Sequence, residues 1–331
     1  MNTNDEDGTG VVFRKTLGHY TVRLISNGRE LECVLSSLLH KQFIYPTADP
    51  ASLRHTVQAV RELAHVDPIA IGDHVRLRDS GDSRGVITEI LPRRSRLSRP
   101  APVPGRRVFE QVIVSNADQV LPVFAVAEPA PKWGLLDRYL VAAEAAELPV
   151  LIVITKSDLA WKNRAFESDV ETYRRIGYPV HTVSSLTGEG IEELKGLLQG
   201  RMSVLVGKSG VGKTSLLNAI QPGLGLRVRE VSRGDQGKGR HTTSHMEMFE
   251  LDFSGRLVDT PGMREFGLWN IERQDLAYFF PEMAGFVGRC RFGLNCRHDR
   301  EPGCAVRRAV MAGDVSPYRY KSYMRLQEEL P

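Results

Sequence analysis

Four short stretches carry residue types whose spacing suits nucleotide chemistry. In VLVGKSGVGKTSLLNAI (204–220), Gly207-x-x-x-x-Gly212-Lys213-Thr214 follows an apolar run and opens a helical one, the context a phosphate-binding loop requires. Backbone N–H groups of Gly207, Lys208, Ser209, Gly210, Val211 and Gly212 would turn inward around phosphates, with Thr214 and Ser215 at a helix N-terminus behind them. Lys213 is placed to reach the β- and γ-phosphates, and the Thr214 hydroxyl to ligate Mg2+. VDTPG (258–262) follows a second strand-like run, and there Asp259 is expected to hold Mg2+ while the Gly262 N–H meets the γ-phosphate. In ITKSDL (154–159), the Asp158 carboxylate matches the N1–H and N2–H2 donors of guanine and repels the N1 acceptor of adenine. Thr155 opens that motif and the Lys156 stem would lie along the base. SSLTG (184–188) brings Ser184 and an N–H of Ser185 or Leu186 toward guanine O6.

Each stretch is a weak signal alone; together, each at the end of a strand, they predict a GTP site. Their order is unusual. The guanine segment comes first, then SSLTG, the phosphate loop and DTPG. This is the customary cyclic order opened at another point, which is feasible where chain termini lie close together on a surface.

Two further clusters stand outside this set. Cys290, Cys296, His298 and Cys304 fall within fifteen residues, and three thiolates with one imidazole fill a tetrahedral Zn2+ site with no open position, a structural site. Cys33 stands apart and reads as a core residue. Arg93, Arg94, Arg96 and Arg99, with Arg106 and Arg107, crowd one segment free of acids, which suits a phosphate backbone or a solvated linker.

The elements that must position these groups change character along the chain. Residues 1–10 read as a polar, disordered tail. Residues 11–104 read as short antiparallel strands (HYTVRLI at 19–25, GRELECVL at 28–35, two more within 69–91), the pattern of a small OB-like barrel. Asp49-Pro50 and the spacing of Leu53, Val57, Val60 and Leu63 predict a helical insertion near 44–66. The Pro- and Arg-rich 91–108 reads as an interdomain linker. Over 105–270, strands at 111–115, 120–126, 149–154, 180–184, 202–206 and 256–258 alternate with helices at 134–147, 164–176, 189–198 and 213–220, a parallel α/β sheet. Residues 271–331 form a mainly helical zinc-binding part ending in a helix near 317–329. Hydrophobic content of 41% and charged content of 25% suit a soluble globular protein, with no run long enough for a bilayer span and no signal-peptide pattern at the N-terminus, so a cytoplasmic monomer is expected.

With these residues in place, the chain closely resembles the circularly permuted GTPases of the ribosome small-subunit-dependent GTPase A (RsgA/YjeQ) family. The resemblance covers nearly all of it. The permuted motif order, GRHTTS (239–244), the RSRLSRP segment and the Cys/His cluster carry it. It implies a multidomain protein: an OB-like RNA-binding barrel, a permuted P-loop GTPase domain and a zinc-binding domain. It further implies GTP hydrolysis stimulated by the small ribosomal subunit, with a role in that subunit's late maturation. Met263 occupies the position after Asp-x-x-Gly where many GTPases carry a water-orienting Gln. His241, in the basic loop 237–245, is the expected substitute, and Thr243, with Thr242 second, the expected Mg2+ hydroxyl. The alternative is an RNA-binding assembly factor in which GTP is only a conformational ligand. Three features depart from the family pattern: Thr155 stands where Asn is usual, five residues separate Cys290 from Cys296 where four are expected, and the insertion near 44–66 is unfamiliar.

Overall fold

A computed structural model describes residues 7–16, 18–39, 67–101, 109–225, 246–260 and 268–330. The expected helical insertion at 44–66, Arg106, Arg107, the basic loop with His241, Thr242 and Thr243, and Gly262 and Met263 lie outside the described residues. Contacts divide the chain into two compact units that alternate along it. One takes residues up to Asp118 with Leu198–Val204 and 226–263; the other takes Gln119–Leu197, Leu205–Gly225 and 264–331.

In the first unit, β1 (Asp7–Thr16), β2 (His19–Leu24), β3 (Glu30–Leu35), β4 (His74–Gly81) and β5 (Arg84–Ile90) close into a five-stranded barrel. Strand β1 pairs with β2 and β4, β2 with β3, β3 with β5, and β5 with β4. Alternation does the sorting: Leu31 and Cys33 on β3, Val75 and Leu77 on β4, and Ile87 on β5 are fully buried, while their neighbours face outward. Cys33 is the core residue expected.

Two expectations fail here. Residues 7–10 are not a loose tail: they begin β1, with Asp7 opposite Arg78 and Gly10 opposite Val75. Strand pairing is a backbone property, so a polar, glycine-bearing stretch can supply it. The segment 91–108 is likewise not simply a linker. Arg96–Ala101 forms β6, antiparallel to β7 (Phe109–Ser115), and Pro100 is tolerated because β6 is the edge strand of this ribbon. The hairpin of β12 (Met246–Leu251) and β13 (Gly255–Asp259) completes this unit. Strand β12 also pairs with β1, Arg14 opposite Glu247.

The second unit contains the parallel strands β8 (Gln119–Ala125), β9 (Ile152–Thr155) and β10 (Val180–Thr182), adjacent in that order. Every residue of β8 and β9 is buried, as expected of strands covered on both faces. Helices α1 (Trp133–Ala145), α2 (Phe166–Ile176), α3 (Ile191–Leu198) and α4 (Lys213–Ile220) alternate with the strands; β11 (Met202–Val206) precedes α4 and is divided between the units. Toward the C-terminus come α5 (Ala305–Ala312) and α6 (Pro317–Glu329). They pack around Phe280, Met283, Val306, Tyr323 and Leu326, a core that also takes in Val141 of α1. No helix among the described residues is long and apolar enough to cross a membrane.

Candidate guanine-nucleotide site and metal cluster

In the second unit, three stretches far apart in sequence line one cavity of about 250 Å3: Thr155, Lys156, Asp158 and Leu159 after β9, Ser185 and Leu186 after β10, and Gly212 and Ser215 at the start of α4. Parallel strands present their C-terminal ends on one side, so loops leaving neighbouring strands meet there. The local backbone is specific. Gly212 caps α4 with φ +92°, a conformation that strains any residue with a Cβ. A Cβ on Gly207 would lie 2.5 Å from the Val123 carbonyl oxygen, so only glycine lets the loop pass over β8.

The recognition groups are held by one another. The Ser184 hydroxyl donates to Asp158 Oδ1 at 2.6 Å and itself accepts from the Leu186 and Thr187 N–H groups, both at 3.2 Å. Asp158 is thereby fixed with one carboxylate edge left for a base. Of the two N–H groups expected to meet guanine O6, that of Leu186 is thus engaged by Ser184. Thr155 is buried, and its hydroxyl reaches the carbonyl oxygens of Val211 at 2.5 Å and Phe124 at 3.2 Å. The shorter side chain therefore ties β9 to the phosphate loop. Lys156 crosses the same loop, its ammonium on the Gly210 carbonyl at 3.1 Å and on that of Glu128. Lys213 Nζ lies on the Gly207 and Lys208 carbonyls, the latter at 3.1 Å, within the loop it would serve. Asp259 ends β13, buried, in the first unit.

Leu159 and Glu128 were not among the expected site residues. Glu128 anchors Lys156 through its carbonyl and Lys162 through its carboxylate, at 2.7 Å. The available signal was its place just past the end of β8, on the side where ligand loops gather.

The four C-terminal ligand candidates converge. One ligand atom from each of Cys290, Cys296, His298 and Cys304 lies within 4.8 Å of all the others, and all four residues are buried. Cys290 Sγ stands 3.9 Å from Cys304 Sγ and 3.4 Å from His298 Nδ1, which is 3.5 Å from Cys304 Sγ. A tetrahedral zinc with ordinary bond lengths requires S···S edges of about 3.8 Å and S···N edges of about 3.6 Å, so the donor set fits such an ion. Backbone N–H groups of Ala305 and Arg307 point at Cys290 and Cys304 sulfurs, at 3.2 and 3.4 Å. Burial pushes the Cys296 thiol up to about 12, and a bound divalent cation is what deprotonates a thiol in such surroundings. The extra residue between Cys290 and Cys296 is absorbed by a short 3-10 turn, Gly293–Asn295, without displacing a ligand.

The four arginines separate. Arg93 makes two 2.7 Å bonds to Asp73, whose side chain is fully buried, and a third to the Pro68 carbonyl. Its guanidinium thus holds the barrel's 67–73 segment. Arg94 pairs with Asp118, Arg96 with Glu110 and Arg99 with Gln111, and all three remain exposed.

The RsgA GTPase family model matches residues 90–269. The small ribosomal subunit biogenesis GTPase RsgA of Gemmatimonas aurantiaca is 48% identical over 266 residues, 79% of this chain and 84% of that protein. The RsgA of Moorella thermoacetica is 44% identical over 259 residues, 78% of this chain and 84% of that one. Among solved structures, that of YjeQ from Thermotoga maritima superposes with a TM-score of 0.73 at 32% identity, covering 98% of this chain and 99% of the other. That of YloQ, a circularly permuted GTPase, gives 0.66 at 26% identity over 100% and 97%.

Proposed function

The chain belongs to the RsgA GTPase family, and on that premise we propose that it hydrolyses GTP on the small ribosomal subunit during that subunit's late maturation, in the cytoplasm, with hydrolysis stimulated by the subunit. The observation that carries the reading is the single cavity in which the guanine segment, SSLTG and the phosphate loop meet.

In this mechanism Asp158, held by Ser184, accepts from the base, with Ser185 and Leu186 beside it. The Lys156 stem covers the base plane. Gly207 to Ser215 and the N-terminus of α4 cradle the phosphates, and the Gly262 N–H meets the γ-phosphate. Thr214, Thr243 and Asp259 would hold Mg2+, which when bound neutralises charge on the β- and γ-phosphate oxygens. Lys213 leaves its own loop carbonyls for the same oxygens. His241 orients the attacking water, because Met263 cannot. Cys290, Cys296, His298 and Cys304 hold one structural Zn2+. Arg94, Arg96 and Arg99 offer exposed charge to rRNA phosphates; Arg93 supports them from within, through Asp73.

Met263 also favours a second reading, an RNA-binding assembly factor with little turnover of its own. GTP hydrolysis measured under single-turnover conditions, with and without purified small subunits, separates the two. Stimulation by orders of magnitude supports the enzyme; an unchanged slow rate leaves the assembly factor.

A further inference from the structure

We propose that Asp137 and Arg319 form a positioning pair that couples the metal cluster to the guanine-reading turn; the proposal rests on the guanine reading above. Both side chains are fully buried. The Arg319 guanidinium, on α6, donates to Asp137 on α1 at 2.8 Å and to Glu282 at 2.7 and 3.1 Å, and lies over the Phe280 ring, 4.6 Å from its centre. Asp137 also accepts from the Tyr173 hydroxyl of α2, at 2.9 Å. One carboxylate thus joins the C-terminal helix to two helices of the nucleotide-binding unit.

Each end of this joint is tied to a site. On the metal side, α6 is bonded to the backbone of the cluster loop. Tyr320 donates to the His298 carbonyl at 2.5 Å, and Tyr323 and Gln327 donate to that of Arg297 at 3.1 and 2.9 Å. On the nucleotide side, α2 begins four residues after the turn Ser157–Lys162, which carries Asp158. Trp133 at the head of α1 donates to Asp169 of α2 at 2.8 Å, and the loop before α1 supplies the Glu128 carbonyl to Lys156 and the Val126 carbonyl to Asn163, at 3.0 Å. Helix α6 meets the head of α1 again, Arg325 donating to the Gly134 carbonyl at 2.9 Å and the Gly134 N–H donating to Tyr318 at 3.1 Å.

A buried ion pair adds little net stability, because desolvation offsets the attraction, but it tolerates misalignment poorly. Apolar packing alone would hold α6 against α1; the charged joint sets the register in which it does so. When the cluster loop is ordered by metal, α6, Asp137 and Tyr173 hold α2 and the guanine turn in place. When it is not, that support loosens and guanine binding weakens. Asp137 and Arg319 act through other residues and touch no nucleotide.

The test uses the full chain, metal-loaded or stripped with a chelator, with a fluorescent GDP analogue for affinity and hydrogen exchange for residues 155–163. Stripping should weaken GDP by at least about fivefold, the low end of ordinary site-to-site coupling, and speed exchange across 155–163. Tyr173→Phe should do the same with metal content unchanged, and Arg319→Lys should retain more affinity than Arg319→Met. If the arginine variants fail to fold, Tyr173→Phe and the stripped native chain still decide. The proposal is overturned if the stripped chain loses protease resistance at its C-terminus yet keeps its GDP affinity, or if Tyr173→Phe alters neither readout. A native chain that binds ADP as well as GDP would instead remove the guanine reading on which the proposal stands.

Discussion

Replacing Asp158 with Asn should exchange the preferred base, and the structure shows which way the new amide must face. Ser184 donates to Asp158 Oδ1 at 2.6 Å while its oxygen is taken by two backbone N–H groups. A serine held in that way keeps offering its proton, so the substituted amide would turn its carbonyl toward Ser184 and its NH2 toward the base. Guanine would then meet a donor where its own N2–H2 donates, whereas xanthine would present its C2 carbonyl. Each bond from guanine to the native carboxylate contributes ~1.5–3 kcal/mol, and the one from N2–H2 is lost while the amide oxygen can still accept from N1–H. At about 1.4 kcal/mol per decade, GDP should weaken by roughly ten- to a hundredfold while the xanthine nucleotide gains. Competition of GDP, ADP and XDP against a fluorescent nucleotide, for native and Asp158→Asn proteins, measures this. If the variant still prefers GDP to XDP, Asp158 does not read the base.

Three other outcomes are expected. His241→Ala should abolish most subunit-stimulated hydrolysis while leaving GTP binding nearly intact, whereas Lys213→Ala should impair binding itself; single-turnover rates beside equilibrium binding distinguish them. Cys304→Ser should lower the metal content from one zinc per chain and destabilise chiefly the C-terminal helices, because metal binding there is coupled to folding while serine would keep the cap on the Arg307 N–H; elemental analysis and limited proteolysis report both. Thr155→Val should leave the buried Val211 carbonyl without its donor, a loss of ~1–3 kcal/mol, while Thr155→Asn, which keeps a donor, should stay closer to native in thermal unfolding and GDP affinity.

The motifs were legible because each is local: a glycine loop, a carboxylate or a cysteine pair declares its chemistry within a few residues. Helices α4 and α6 fell where the periodicity placed them for the same reason. Contacts across long separations were not legible. Nothing in the sequence pairs Arg319 with Asp137, 182 positions away, or directs Arg93 inward to Asp73 while Arg94 stays exposed. Strand β12 was missed because MEMFEL lacks clean alternation, and β1 was entered late because glycine and acid conceal a strand whose partners are decided elsewhere. The bond from Thr155 to the Val211 carbonyl, 56 residues on, is equally invisible in the sequence.

Strand β1 serves the barrel along one stretch and β12 along another, with Arg14 paired to Glu247 across 233 positions. On the ribosome that makes this protein, β1 emerges about 230 residues ahead of β12. At ordinary elongation speeds the outer edge of β1 waits about 10–50 s for its partner. Through that interval the nascent barrel presents unpaired backbone to anything nearby. Cutting the barrel away as a separate fragment would make the exposure permanent on both pieces, so a soluble truncation must either keep the two strands together or give each a substitute edge.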